Sequence, residues 1–550
     1  MELINHTLGS ILEYNAANDP DREFLVYPDR DLRFTYATFN ERVDKIAKAL
    51  IYMGVKKDSK VGVWAKNIPD WITYMFATAK VGAVLVTVNT NYKDSELEYI
   101  MQNADIHTLC IGKGFRDNNY IETLYRIAPE LKTAERAEFK SEKFPELKNV
   151  VFMGYEKQKG MYTTAELITL GSSLGDEELE RVKTTFNTHD TTNMQYTSGT
   201  TGFPKGVMLS HYNILNNGLT AGDCMHYTKE DRLLVCVPMF HCFGAVLALC
   251  AIVTHGATMV MVEEFEPLAV LASIAKERCT AVYGVPTMYI AELNHPMFDM
   301  FDLTSLRTGI MAGAPCPIET MNQVMEKMHI KDIISVYGLT ETSPGMTATR
   351  VTDSPEIRAT TVGRSFPHVE VKIVDPVTGE DAPYGVQGEV CCRGYNVMKG
   401  YYNNPEATAE VIDENGFLHS GDLGVMDEAG YLRITGRSKE MIIRGGENIY
   451  PREIENFLYR MPQIEAVEVA GIPSPRYGEQ VGAFVKIKEG EKLTEEDIRR
   501  YCSDQIARYK IPKYIFFVEG FPMTTSGKIQ KYKLKDVAAQ MLSERGETIV

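Results

Sequence analysis

Apolar residues near the start of the chain fall at helical spacing. Phe39, Val43, Ile46, Leu50 and Met53 recur at intervals of four and three, which aligns one buried helix face, and Gly54 follows where such a helix can end. Lys60 to Ala65, "KVGVWA", then reads as a strand, Pro69 to Lys80 as a second helix, and Ala83 to Val88, "AVLVTV", as an apolar strand. Helix, strand, helix, strand predicts stacked α/β layers. Short β-like runs at Thr258 ("TMVMV"), Thr280 ("TAVYGV") and Asp332 ("DIISVYG") alternate with helical segments in the same way. After Val371 the texture changes. "VKIV", "GEVCCRG" and "GYLRITG" are short strands between Gly, Asp and Asn turns, which predicts a smaller β-rich unit. From Tyr450, "YPREIENFLYRMP" reads as helical, and Thr494 with Asp497 resembles a capping box opening a helix expected to run through Tyr509. The expected fold is α/β: a large N-terminal domain of layered α/β subdomains plus a β-rich subdomain, followed by a small α+β C-terminal domain of about 110 residues.

At 550 residues the chain suffices for three or four packing units. The apolar run "CFGAVLALCAIV", Cys242 to Val253, falls short of the roughly 18 to 20 residues that cross a bilayer, so it is expected in the core and no membrane span is expected. The N-terminus "MELINHTLGSILEYN" has no basic region followed by an apolar one, which argues for the cytoplasm over secretion. With 58 basic and 74 acidic residues the net charge is −16, which argues against a nucleic-acid partner; an anionic ligand must be held by local groups. Ten cysteines lack metal-type spacing, with Cys391 and Cys392 adjacent, and read as reduced thiols without a metal or redox role. The charged segment from Thr133 to Lys148 reads as a solvated surface excursion.

Candidate chemistry begins at Tyr196 with "YTSGTTGFPKGVMLSH", rich in the glycine and hydroxyl residues that wrap a phosphate. A Walker-type loop needs a lysine between glycine and serine or threonine, with a helix after it. Here Lys205 lies between Pro204 and Gly206, "GVMLS" is strand-like, and the next helix is expected only near Ser210. Affinity for an anion would then come from amides, hydroxyls and Lys205; by composition alone a glycine-rich hairpin is an equal reading. Further strings follow: "GAPCP" at Gly313, "YGLTETSP" from Tyr337, "SGDLG" at Ser420, "GRSKEMIIRGGENIYPREIE" from Gly436, and "TTSGKIQK" carrying Lys528. Singly, each is a turn, a cap or a solvated lysine.

Taken in order and separation, these strings resemble the signatures of the adenylate-forming enzymes, the superfamily of acyl-CoA synthetases, luciferases and nonribosomal adenylation domains. The resemblance runs from "FTYATFNERV" at Phe34 to Lys531. It implies ATP, Mg²⁺ and coenzyme A as cofactors. Thr197, Ser198, Gly199, Thr200, Thr201, Gly202 and Lys205 would surround the phosphates. Gly313, Ala314 and Pro315 would line the adenine pocket, and Tyr337, with Gly338, would pack against the base. Thr340 would contact the α-phosphate, and Glu341 would hold magnesium, for which a carboxylate is a suitable hard ligand. Asp422 would accept both ribose hydroxyls, and Arg437 would approach ribose and phosphate. Lys528 would be the mobile catalytic lysine, so Lys528, Glu341, Thr340 and Arg437 form the expected catalytic set. Lys439 would be a hinge between an N-terminal AMP-binding domain, 1–438, and a mobile C-terminal domain, 439–550. Gly445, Gly446 and Glu447 would border the tunnel for coenzyme A.

"VPMFHCFGAVLAL" at Val237 matches the segment that shapes the acyl pocket in such enzymes, giving Phe240, His241, Phe243 and Gly244, with Val285, Gly313 and Gly338, as its expected lining. His241 is expected to line the pocket and not to act as a base. Amino-acid-activating relatives carry an aspartate where His241 stands, which disfavours an amino acid substrate. The wording of the chain looks most like medium-chain to long-chain fatty acyl-CoA synthetases, which implies an AMP-forming acid–thiol ligase acting on a hydrophobic small-molecule carboxylic acid. Alternatives are an aryl acid–CoA ligase, an acyl-AMP ligase that loads a carrier protein, and an inactive nucleotide-binding regulator. Retention of Glu341, Asp422, Arg437 and Lys528 together stands against the last.

Overall fold

The computed structural model describes residues 2–136, 138–197, 204–314, 316–437, 440–444, 447–503, 505–524 and 528–546. The first apolar period becomes the helix Tyr36–Tyr52, with Phe39, Val43, Ile46 and Leu50 buried. Strand Lys60–Trp64, helix Pro69–Lys80 and strand Val84–Thr87 follow where the pattern puts them. The second helix is buried from Trp71 to Lys80, so its last residue takes a charge into the core. Lys80 is tolerated there because its ammonium donates to Asn40 at 2.7 Å and pairs with Glu13 at 2.8 Å.

Among the described residues the large domain is built on two sheets. In the nine-stranded sheet, Asp332–Gly338, Thr308–Ala312, Ala281–Gly284, Arg232–Val235, Thr258–Met261 and Glu23–Tyr27 run parallel, with antiparallel strands at both edges. In the eight-stranded sheet Val84–Thr87, Lys60–Trp64, Ile106–Ile111 and Asn149–Phe152 run parallel to Thr191–Thr197, which turns back antiparallel into Lys205–Ser210. Their apolar runs are buried on both faces, as parallel strands under helices require. The β-rich unit is a four-stranded antiparallel sheet of Val369–Val374, Gly388–Gly394, Leu418–Met426 and Leu432–Arg437. The small domain packs the helices Pro451–Leu458, Glu495–Ser503 and Leu534–Glu544 on a sheet whose longest strands are Ile464–Ser474 and Gly478–Ile487.

Two expectations are corrected. The segment from Thr133 to Lys148 is not merely solvated: Phe139, Phe144 and Leu147 are buried in the core behind the eight-stranded sheet, at a spacing too irregular to show as a period. The capping box at Thr494 and Asp497 forms, with reciprocal bonds of 3.1 and 3.2 Å, but its helix covers Glu495–Ser503 and stops short of Tyr509. Ile506, Tyr509 and Ile511 pack on the small-domain core at a spacing that a continuing helix does not provide, and Pro512 keeps Ile511 extended.

No described helix is long and apolar enough to cross a membrane. The run from Cys242 to Val253 is buried; it begins as a π-helix over Phe243–Ala248 and continues as the α-helix Leu249–His255. All ten cysteines are free thiols and nine are buried.

Candidate active site

The glycine-rich loop joins two antiparallel strands, and the following helix starts at His211 with Ser210 as its N-cap. Thr197 and Lys205 pair across its base. Ser198, Gly199, Thr200, Thr201 and Gly202 lie outside the described residues. Both flanks are tied down: the Tyr99 hydroxyl donates to the Pro204 carbonyl at 3.0 Å, and the Tyr196 hydroxyl to Asn103 Oδ1 at 2.7 Å. Lys205 Nζ stands 4.8 Å from the centre of the Tyr401 ring.

Two neighbouring parallel strands deliver the next groups at their carboxyl ends, where open α/β sheets bind ligands. Thr308–Ala312 leads into Gly313, and Asp332–Gly338 ends in Tyr337 and Gly338. Gly313 has φ +84°, and a Cβ there would lie 3.2 Å from Val285 Cγ1 and 3.5 Å from Lys528 Cε. The small residue thus leaves space for an arm reaching in from the small domain. Gly338 answers a different need, since a Cβ would lie 1.8 Å from the Pro344 carbonyl oxygen; Gly244 is crowded in the same way by Pro238. Chain packing alone accounts for glycine at both positions expected to line an acyl pocket. Ala314 is described and its carbonyl accepts the Cys316 thiol at 3.5 Å, while Pro315 lies outside the described residues.

Thr340 and Glu341 ride on a short 3₁₀ turn, Thr340–Thr342. Buried amides lock the segment after it. Asn217 receives the Gly345 N–H at 2.9 Å and donates to the Gly345 carbonyl at 2.8 Å, while Asn396 donates to the same carbonyl at 3.1 Å. Glu341 Oε1 accepts the Tyr401 hydroxyl at 2.8 Å. Tyr401, in "KGYYNN", had no role in the sequence pattern. It reaches the site because Gly400–Tyr401 adds an edge strand to Lys205–Ser210.

Strand register sets Asp422 opposite Arg437. Asp422 is buried, with Oδ1 accepting the Arg437 Nε–H at 2.8 Å and Oδ2 accepting the Tyr337 hydroxyl at 2.7 Å. The Asp422 charge raises the Arg437 pKa, and burial raises that of Tyr337. Glu389 steadies the turn before Asp422, accepting the Gly421 N–H and the His419 ring at 2.9 Å each.

Lys528 enters this cleft from a hairpin of the small domain. The Thr524 N–H donates to the Lys528 carbonyl at 2.7 Å, the Lys528 N–H returns to Thr524 Oγ1 at 3.1 Å, and the Gln530 N–H donates to the Pro522 carbonyl at 2.8 Å. Burial holds the Lys528 ammonium below its ordinary range; Cys242, Asp422 and Glu341 pull it upward, and the like charge of Arg437 pushes it down. Lys528, Glu341, Asp422 and Arg437 thus share one electrostatic neighbourhood.

On the apolar side, Phe243 stacks on Tyr283 with ring centres 5.8 Å apart. His241 Nδ1 accepts the Phe243 N–H at 3.2 Å, which places the ring proton on Nε2. Burial, with Lys528 adding to it, pushes His241 down to about 3, so the ring is neutral near pH 7. Cys242 Sγ lies 3.7 Å from Thr340 Oγ1, and burial pushes its thiol up to about 11. Arg452 is a second residue that the sequence did not single out. It rises from the small-domain helix Pro451–Leu458 into the field of Cys316, Glu455, Asp422 and Tyr337, and its Nε has no hydrogen-bond partner among the described residues. Lys439, Gly445 and Gly446 lie outside the described residues, and Glu447 is described by its backbone, which opens the strand Glu447–Ile449.

The model of the AMP-binding enzyme family matches residues 12–402, and that of the AMP-binding enzyme C-terminal domain matches 453–528. The putative acyl-CoA synthetase YngI of Bacillus subtilis is 50% identical over 542 residues, spanning 98% of this chain and 99% of the relative. The mitochondrial medium-chain acyl-CoA ligase ACSF2 of Bos taurus is 39% identical over 551 residues, spanning 99% of this chain and 89% of the relative. Among solved structures, the anthranilate CoA ligase AuaEII in complex with anthranoyl-AMP superposes with a TM-score of 0.86 at 26% identity, covering 99% of each chain. ATP-bound MatB from Rhodopseudomonas palustris gives 0.82 at 26% identity, covering 98% of this chain and all of that one. With both family models matched in order and the cleft assembled between them, the chain belongs to the AMP-binding enzyme family.

Proposed function

We propose that this chain is an AMP-forming acyl-CoA synthetase. It joins a hydrophobic carboxylic acid to ATP, releasing pyrophosphate, and passes the acyl group from the adenylate to the thiol of coenzyme A. The observation that carries the reading is the meeting of Glu341, Asp422, Arg437 and Lys528, from distant segments, in one cleft. In this reading Asp422 and Arg437 hold the ribose, while Thr340, Lys205 and the loop from Thr197 hold phosphate. An acid oxygen attacks the α-phosphorus and the bond to the bridging oxygen breaks. Lys528 offsets the charge that gathers as two anions approach. Glu341, a hard carboxylate steadied by Tyr401, fits Mg²⁺. Magnesium supplies charge neutralisation among the phosphates when bound.

For the second step the small domain turns about Lys439, with the boundary between 438 and 439, and Gly445, Gly446 and Glu447 come to border the pantetheine. The thiol attacks the acyl carbonyl and AMP leaves. The acid proposed is aliphatic and of medium chain length, supported by the named activity of the bovine relative and by the buried Phe243 and Val285 on the apolar side. A second reading, an aromatic acid, is favoured by the likeness to an anthranilate ligase. A reducing compartment, the cytoplasm, suits ten free cysteines.

Purified protein given straight-chain and aromatic acids with ATP and Mg²⁺, with and without coenzyme A, tests this. Acid-dependent pyrophosphate release is expected, with a thioester formed only when coenzyme A is present and aliphatic acids preferred. Pyrophosphate release indifferent to every acid would overturn it.

A further inference from the structure

The hairpin that presents Lys528 ends in a knot of buried charge that the chemistry above does not use. Lys531 Nζ lies 2.5 Å from Glu455 Oε1, 3.1 Å from Glu468 Oε2 and 4.0 Å from Glu440 Oε2. These carboxylates come from the helix Pro451–Leu458, from the strand Ile464–Ser474 and from the segment directly after residue 439. Glu455 is itself fixed, because its Oε1 also accepts the Val469 N–H at 2.9 Å. Burial and the charge of Glu455 push the Glu468 carboxyl up, whereas burial works against the Lys531 ammonium and the three glutamates outweigh it.

Two features set this knot apart from surface ion pairs of small energetic weight. The side chains of Lys531 and Glu455 are 19% and 6% exposed. Moreover, one ammonium faces three carboxylates, and a buried ionic cluster is seldom the most stable way to fill a space; apolar replacement is commonly neutral or better. Apolar packing is close at hand, since Leu534, one turn onward, enters a cluster with Ile472 and Phe516. Charge at this point gives direction: it specifies where the chain leaves the hairpin and ties that exit to helix and strand together.

We propose that Lys531 is a positioning residue for adenylation, pinning the outgoing leg of the Lys528 hairpin to Glu455 and Glu468 so that the Lys528 ammonium arrives beside Glu341 and Asp422. The inference rests on the acyl-CoA synthetase reading. A misplacement of about 1 Å at a reacting centre can cost on the order of 10²-fold. Acyl transfer to coenzyme A does not call on Lys528 in that reading, so the two half-reactions separate a positioning role from a general loss of structure.

The experiment compares full-length Lys531→Met and Lys531→Arg with the parent. Lys531→Met is expected to slow acid-dependent ATP–pyrophosphate exchange by about tenfold or more, with KM for ATP and acid within about threefold of the parent. Acylation of coenzyme A from supplied acyl-AMP is expected to stay within about twofold, and Lys531→Arg, which keeps the charge, to recover most of the exchange. Unchanged exchange in Lys531→Met overturns the proposal. So does equal loss of both half-reactions together with a lower Tm, which marks a structural role alone. A parent that performs neither half-reaction with any acid sinks the underlying reading, whereas an active parent matched by a fully active Lys531→Met sinks the positioning role alone.

Discussion

Asp422 and Lys528 meet in one cleft but come from regions built on different rules. Asp422 sits on a strand whose register places Arg437 opposite it, behind a turn gripped by Glu389, and both its oxygens have partners within the large domain. Glu341 is similarly enclosed by Tyr401 and by a segment that Asn217 and Asn396 hold through the backbone of Gly345. Lys528 arrives on a hairpin closed by bonds at Thr524 and Gln530 and held at its exit by Lys531. In the proposed reaction, the groups that keep their place are the ones set into sheets and buried amide networks, where losing one contact leaves the rest in register. The lysine that the proposed mechanism brings in and withdraws is carried on a hairpin arm of the small domain.

The sharpest way to break this comparison is Lys528→Ala. Removing a preorganised charge donor should lower acid-dependent pyrophosphate exchange by about 10²-fold or more, while calorimetry still registers acid binding. Undiminished exchange would mean that the arm contributes nothing the large domain lacks. A smaller effect is expected from Tyr401→Phe, which takes one hydrogen bond from a charged carboxylate. A loss of about 1.5 kcal/mol corresponds to roughly a tenfold higher Mg²⁺ requirement in a metal titration of the exchange rate. An unaltered titration would separate Tyr401 from Glu341 in function.

The smallest effect concerns stability, and contrasts two buried glutamates. Oε2 of both Glu468 and Glu292 lacks a well-aligned hydrogen bond among the described residues, but Glu468 faces the Lys531 ammonium at 3.1 Å, whereas Glu292 lies on the helix Pro286–Leu293 behind Val285. Burial pushes the Glu292 carboxyl from 4.5 up to about 8. Between those values the folded chain holds a proton that the unfolded chain has released. Its contribution to stability therefore declines as pH rises from 4.5 to about 8 and is level above that. Glu292→Gln should remove the decline, so thermal melts would show a higher Tm than the parent at pH 8 and near equality at pH 4.5. The same pH dependence in both proteins would show that Glu292 ionises freely in the fold.

The elements from Tyr36 to Thr87 were legible because burying one helix face or a whole strand leaves a local apolar period. Phe139, Phe144 and Leu147 left none, as they anchor an irregular segment. Motif likeness supplied Thr340, Glu341, Asp422, Arg437 and Lys528 as candidates, but the distances among them arise from crossovers and strand register that no short window contains. Tyr401 and Arg452 escaped for the same reason: one enters along a sheet edge and the other from the facing domain. That this helix stops short of Tyr509 goes with the packing of Ile506, Tyr509 and Ile511 on the small-domain core, at a spacing local helical preference does not show.

Cys242 stands beside Thr340, where an acyl adenylate would form, and such a mixed anhydride is open to attack by any thiolate within reach. Burial pushes this thiol up to about 11, so it is protonated at neutral pH. In the proposed reaction, that seclusion from water would guard the enzyme against self-acylation. An intermediate meant for a visiting thiol would then not be captured by the resident one.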